Sequence, residues 1–175
     1  MKKFGAWRVL AGLAVVVICA AGASAQEEQQ QQSAVILAGQ QLARVVPPGF
    51  YFEGQSAPTQ TRNSAAARFG AKRHVIAGMV DTSGYSADVR ARYEGFLITD
   101  SPVSVGGEQL GPGAYGFGFT DDGKFNLFDV GGRPVLSVGV ADDRRIRRPR
   151  PLMMTRGDGG VRLYGGRQFV VITAR

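Results

Sequence analysis

His74 is the only histidine in the chain and the first residue to consider for acid–base chemistry. An imidazole changes charge near neutral pH, so it could act as a general base between a hydroxyl nucleophile and a carboxylate. Ser56, Thr59 and Ser64 are candidate hydroxyls, and Asp81 and Asp100 are candidate carboxylates. The chain has no G-x-S-x-G nucleophile elbow, and His74 stands in the strand-like run Arg73-His74-Val75-Ile76. The sequence therefore favours a strand histidine and leaves a hydrolase using His74 as the enzyme alternative.

A cluster of arginines is the strongest charge feature of the chain. Five fall within seven positions, directly after Asp142 and Asp143: Arg144, Arg145, Arg147, Arg148 and Arg150. Guanidinium groups pair well with phosphate and carboxylate, so the segment predicts a glycan, an anionic surface or an envelope protein as partner. Aromatic side chains that stack on bases are absent from it, which argues against nucleic acid. A solvated hairpin loop is the alternative interpretation.

A second candidate site is the polar stretch after the aromatic run Phe50-Tyr51-Phe52. Residues 54–72 are mostly polar or small, and we expect a long loop there. Neutral hydrogen-bonding groups beside aromatic rings suit a sugar or peptide ligand. The candidate ligand-binding residues are Gln55, Ser56, Thr59, Gln60 and Asn63. A mobile or self-capping loop is the alternative.

Metal and cofactor sites have little support in the sequence. One histidine, without the Cys19 of the predicted signal peptide, cannot make an ordinary zinc site unless several carboxylates contribute. The spacing of Asp121, Asp122 and Asp129 is not that of an EF-hand loop. The sequence therefore predicts no metal ion and no cofactor.

The N-terminus has the pattern of a secretory signal peptide. Residues 1–8 are basic, residues 9–23 are apolar, and the small side chains of Ala23 and Ala25 precede Gln26. The sequence predicts cleavage between Ala25 and Gln26, and a periplasmic or secreted protein. An uncleaved membrane anchor is one alternative, although the apolar run is shorter than the ~20 residues that a spanning helix needs.

Cleavage at that point changes the inventory of reactive groups. It removes Cys19 and Trp7, the only cysteine and the only tryptophan. Disulfides and thiol catalysis are then excluded, while lipidation of Cys19 is the alternative that would retain the cysteine. Cleavage also removes three of the 21 basic residues and no acidic one, so the net charge falls from +7 to +4.

The rest of the chain divides into a leader and one folded region. Residues 26–33 (QEEQQQQS) cannot bury apolar surface, and we expect a disordered Gln-rich leader. Residues 34–175 suit a single β domain, with no further apolar run long enough to span a bilayer. Residues 34–46 are compatible with a strand or a short helix, which Pro47-Pro48-Gly49 ends.

Short strand-like runs fill most of the folded region. They lie at residues 50–53, 73–80, 89–99, 103–105, 114–120, 124–130, 134–140, 151–155, 161–164 and 168–173, with turn residues between them. This pattern predicts an all-β fold. We expect an antiparallel β-sandwich with at most one short helix, and a lipocalin-like β-barrel is the alternative.

Asp122-Gly123 predicts a hairpin with a two-residue turn. In that register one face carries the aromatic side chains of Tyr115, Phe117, Phe119 and Phe128. Gly116 and Gly118 then face the other side. There they either leave a shallow groove or are covered by an aromatic side chain.

Residues 98–119 (ITDSPVSVGGEQLGPGAYGFGF) join a Val-x-Val-x-Gly turn, Val103-Ser104-Val105-Gly106-Gly107, to a Leu-x-x-Gly-x-Tyr strand, Leu110-Gly111-Pro112-Gly113-Ala114-Tyr115. This combination resembles the DUF2911-type domains, an exported bacterial family of unknown function. The resemblance implies an exported β-sandwich and assigns no catalytic residue.

These features together predict an exported, non-catalytic β domain. We expect it to bind an envelope component, a glycan or a protein partner. An exported hydrolase using His74 and a small-ligand carrier of the lipocalin type are the alternatives, and a closed barrel with an apolar internal cavity would favour the carrier.

Overall fold

The computed structural model describes residues 34–157 and 159–175. The predicted signal peptide (1–25) and leader (26–33) lie outside these residues. The described chain forms fourteen strands: β1 Ala34–Leu37, β2 Gly49–Phe52, β3 Gln55–Phe69, β4 Arg73–Val80, β5 Gly95–Thr99, β6 Val103–Val105, β7 Glu108–Leu110, β8 Gly113–Phe119, β9 Lys124–Phe128, β10 Pro134–Gly139, β11 Ala141–Asp142, β12 Arg150–Gly157, β13 Gly160–Gly166 and β14 Gln168–Ala174. It also forms two short helices, α1 Gln40–Val45 and α2 Ala87–Arg90.

The strands form two open antiparallel sheets. Sheet 1 has the order β1-β3-β4-β5-β8-β9-β10, and β2 also pairs with β3. Sheet 2 has the order β12-β13-β14-β6-β7, and β11 pairs with β14. The predicted antiparallel β-sandwich is therefore confirmed. Neither sheet of the described chain closes on itself, so the barrel alternative is wrong.

Alternating residues of both sheets fill the space between them. Val75, Leu97 and Phe117 of sheet 1 are fully buried against Leu163 and Ile172 of sheet 2. Because successive side chains of a strand point to opposite faces, each strand contributes every second residue to this core.

A second, mainly aromatic core covers the outer face of sheet 1. Phe52 stacks on Tyr93 with ring centroids 4.0 Å apart, and Tyr85 and Phe128 contact Phe52 edge-on. Phe96, on the central strand β5, is fully buried in the same cluster. Sheet 1 is therefore covered on both faces, which explains why β5 (GFLIT) is apolar at almost every position.

Glycines make room for this second core. A Cβ atom at Gly116 would lie 2.5 Å from the Phe52 ring, and one at Gly118 would lie 2.2 Å from the backbone oxygen of Arg92. The outer face of β8 is thus filled by an aromatic ring and by backbone, and not left as a shallow groove.

The predicted loop at residues 54–72 is wrong, because most of it is β3. Phe52 pairs with Gln55 across the two-residue turn Glu53-Gly54, and both turn residues have positive φ (45° and 82°). This is the geometry of a type I′ hairpin, which glycine favours at its second position. The polar side chains that suggested a loop lie on a strand paired to β2 and β4.

The helices also differ from expectation, since two are present and at most one was predicted. Residues 34–46 contain both of the predicted alternatives, first β1 and then α1, with Gly39 at the N-cap. The predicted strand at 89–99 is a strand only from Gly95, because α2 precedes it. Ser86 caps α2 by accepting a hydrogen bond from the backbone N–H of Val89.

The hairpin of β8 and β9 is present, but its turn is longer than two residues. Phe119 pairs with Phe125, and Gly123 takes a positive φ of 79° in the turn. This register differs by one residue from the prediction, and such a slip moves every side chain of a strand to the other face. Phe128 therefore lies in the second core beside Phe52, so its predicted place on the face of Phe119 is wrong.

Candidate anion-binding surface

The arginine segment begins at a short strand that fixes it to sheet 2. Ala141 and Asp142 pair with Phe169 and Gln168 of β14. The backbone N–H of Asp143 then donates to the carbonyl oxygen of Arg167, 3.0 Å away. The loop that carries the arginines therefore leaves from a defined point beside β14.

The Asp143 carboxylate fastens this loop to the outer face of sheet 2. It accepts hydrogen bonds from the backbone N–H and the Nε of Arg145, each at 3.1 Å, and from the Tyr164 hydroxyl at 3.4 Å. The Arg145 guanidinium lowers the pKa of this carboxyl below its usual value. The Asp143 side chain is only 11% exposed, and Tyr164 is buried beside it.

The five predicted arginines are all exposed, but they differ in their partners. Arg145 pairs with Asp143, and Arg144, which is 94% exposed, pairs with Asp142. Neither Arg147 nor Arg148 has an ion-pair partner within the described part of the chain. The two acids of the segment are thus engaged by the first two arginines, and the next two arginines are available to an outside anion.

Two further arginines of sheet 2 were missed at the sequence level, and one of them, Arg167, contacts the loop. The Arg167 Nε donates to the backbone oxygen of Ile146 at 3.2 Å. The Arg162 guanidinium lies over the Phe169 ring, 5.0 Å from its centroid. Both belong to the β13–β14 hairpin, far from the cluster in sequence; the only available signal was that Arg162 alternates with the apolar residues of its strand.

The predicted ligand-binding residues of the polar stretch lie on β3 and in its bulge. Ladder pairing with β4 jumps from Thr59 to Ser64, so residues 60–63 stand out of register. Gln60 donates to the Val80 oxygen and accepts from Asn63, which shapes this bulge from within. The structure therefore gives Gln60 and Asn63 internal partners.

The remaining residues of that set do not converge on one point. Gln55 and Ser56 are exposed next to the β2–β3 turn, and the Gln55 carbonyl accepts from the Tyr85 hydroxyl. The Thr59 hydroxyl is buried, and no described group is within hydrogen-bond distance of it. Nothing in this arrangement tests a sugar or peptide site, which stays a prediction.

His74 lies on β4 and forms a pair with Asp100. Its Nδ1 is 3.1 Å from Asp100 Oδ2, and its backbone N–H donates to Asp100 Oδ1 at 2.8 Å. Among the described residues, no serine or threonine hydroxyl is hydrogen bonded to the imidazole. The carboxylate of a triad is thus in place beside the histidine, but no nucleophile accompanies it.

In the described part of the chain, no three His, Cys, Asp or Glu side chains come close enough together to hold a metal ion. No helix of the described residues is long and apolar enough to cross a bilayer. The longer helix, α1, has six residues.

Comparison with known proteins gave no match: no family model, no curated protein and no solved structure is similar to this chain. The resemblance to DUF2911-type domains therefore stays a prediction.

Proposed function

We propose that this protein is an exported, non-catalytic binding domain that docks on an anionic envelope component through the loop of residues 143–150. The observation that carries the proposal is the exposure of Arg147 and Arg148, which have no acidic partner among the described residues, on a loop that Asp143 fastens to sheet 2. The N-terminal signal pattern supports a location at which such components occur.

The local charge supports an anionic partner. Arg167 adds a positive charge beside the loop, whereas Asp142 and Asp143 are already engaged in ion pairs. Guanidinium groups bind phosphate, sulfate and carboxylate oxygens through paired N–H donors. A loop held by a buried tyrosine–aspartate contact also presents these donors with less loss of conformational freedom than an untethered loop would.

The test is binding to anionic vesicles and to a heparin column at low salt. Each basic side chain at an anionic membrane contributes about 1 kcal/mol, so Arg147→Ser with Arg148→Ser should weaken vesicle binding about thirtyfold. The control is Arg90→Ser with Arg133→Ser. It removes the same charge from the end of α2 and from the turn between β9 and β10.

The two pairs of variants separate a local site from net charge. We expect the control pair to bind almost as well as the wild type. Equal losses in both pairs would show that only overall charge matters, and a wild type that binds neither surface would refute the proposal. Vesicles of neutral lipid should bind none of the proteins, because the expected attraction is electrostatic.

A further inference from the structure

A groove of about 390 Å³ opens between the two sheets, where β1 and β3 approach the edge strand β12. This volume is within the range of about 300–1,000 Å³ that is typical of small-molecule sites. The lining is polar in part, and its large apolar residues come from β1, α1 and β12: Ile36, Leu37, Leu42, Leu152, Met153 and Met154. Leu37, Leu152 and Met154 are buried, whereas Leu42 and Met153 are half-buried.

Two arginines, Arg62 from the β3 bulge and Arg150 from the first position of β12, also line this groove. Both are exposed, and neither has a hydrogen-bond or ion-pair partner for its guanidinium among the described residues. No described aspartate or glutamate lines the groove. The Ser64 hydroxyl, which is also at the groove, is already bonded to the Gln60 carbonyl oxygen.

We infer that this groove binds an amphiphile with one aliphatic chain and a carboxylate head. The chain would lie on the leucine and methionine wall, where unbranched methionines adapt to a flexible ligand. Arg62 and Arg150 would hold the carboxylate, since guanidinium–carboxylate pairs form strong charge-assisted hydrogen bonds. Arg147 and Arg148 do not line the groove, whereas Arg150, at the end of the same loop, does.

The experiment compares three ligands of equal chain length, palmitate, palmityl alcohol and palmitylamine, each below its micelle concentration. Displacement of a fluorescent fatty-acid analogue from the purified protein gives the three affinities. We expect palmitate to bind at least tenfold more tightly than the alcohol, and the amine to bind most weakly. The variant Arg62→Gln with Arg150→Gln should bind palmitate no more tightly than the alcohol.

A wall variant and a distant control complete the design. Leu42→Gln should weaken the binding of both palmitate and the alcohol. Because Leu42 is half-buried on a short helix, the circular dichroism and the urea midpoint of this variant will show whether the fold is retained. Arg133→Gln, at a residue 86% exposed in another turn, should leave all affinities unchanged.

Three results would overturn the inference: no binding of palmitate by the wild type, equal binding of all three head groups, or an unchanged preference in the double arginine variant. The groove and the arginine loop can also be tested independently with the two double variants. We expect the Arg147→Ser, Arg148→Ser protein to keep its preference for palmitate over the alcohol, whereas Arg62→Gln with Arg150→Gln should lose that preference.

Discussion

Replacing Gly116 by alanine should destabilise the aromatic core on the outer face of sheet 1. The added Cβ would lie 2.5, 2.8 and 3.2 Å from three atoms of the Phe52 ring. Carbon atoms in favourable contact are about 3.5–4.0 Å apart, so the ring would have to retreat by about 1 Å. It has no space to do so, because Phe52 is fully buried and stacked on Tyr93 at 4.0 Å.

Overpacking of this kind costs about 1–3 kcal/mol. Urea unfolding followed by far-ultraviolet circular dichroism measures the cost. With a urea m value of about 2 kcal/mol per M, a loss of about 2 kcal/mol lowers the midpoint by about 1 M. The matched control is Gly139→Ala, where a Cβ would meet no atom within 4 Å and the midpoint should stay level or rise slightly.

A second substitution tests whether the cost comes from Phe52 itself. In the Phe52→Leu background the smaller side chain leaves room for the Cβ, so Gly116→Ala should cost much less there than in the wild type. The reasoning fails if Gly116→Ala shifts the midpoint no more than Gly139→Ala does. It also fails if the cost of Gly116→Ala is the same in both backgrounds.

Two other predictions concern carboxylates. Burial raises the pKa of Glu94, although its carboxylate accepts a hydrogen bond from the Phe119 N–H. The protonated form of Glu94 is therefore favoured in the folded protein, and its contribution to stability is lost as pH rises from 4.5 through the raised pKa. Glu94→Gln keeps the acceptor without the charge, so its stability relative to the wild type, measured by urea unfolding, should be greater at pH 7 than at pH 4, and a constant difference would contradict this. Asp143→Ala removes the hydrogen bonds to Arg145 and Tyr164, so trypsin should cleave the arginine loop several-fold faster in this variant than in Asp142→Ala. Asp142→Ala is the control because it loses only an ion pair to an arginine that is 94% exposed. Equal cleavage rates would show that Asp143 does not hold the loop.

The strands with apolar runs between turn residues could be predicted from the sequence. Arg73–Val80 and Val103–Val105 have the predicted bounds because branched and apolar residues dominate both. β3 was missed because its first half is polar and its pairing partners supply the hydrophobic contacts. The Glu53-Gly54 dipeptide could have indicated the hairpin, since glycine readily takes the second position of a type I′ turn.

The candidate site was predicted only where it is local in sequence. The arginine cluster is a contiguous run, so its exposure could be anticipated from composition. The hydrogen bond between Tyr164 and Asp143 joins β13 to the loop after β11, and Arg62 and Arg150, which line one groove, belong to different sheets. Such combinations depend on strand order, which local patterns do not specify.

The position of β14 has a consequence for the order in which the protein can fold. Ile172, Thr173 and Ala174 pair with β6, while the other edge of the same strand pairs with β13. A ribosome delivers β6 and β7 long before β14, so these strands can pair only with each other until synthesis has passed Gln168. A chain interrupted before Gln168 would hold two separate hairpins, β6–β7 and β12–β13, with nothing to join them. Sheet 2 is therefore completed only after β14 has been made, whereas every strand of sheet 1 is available earlier.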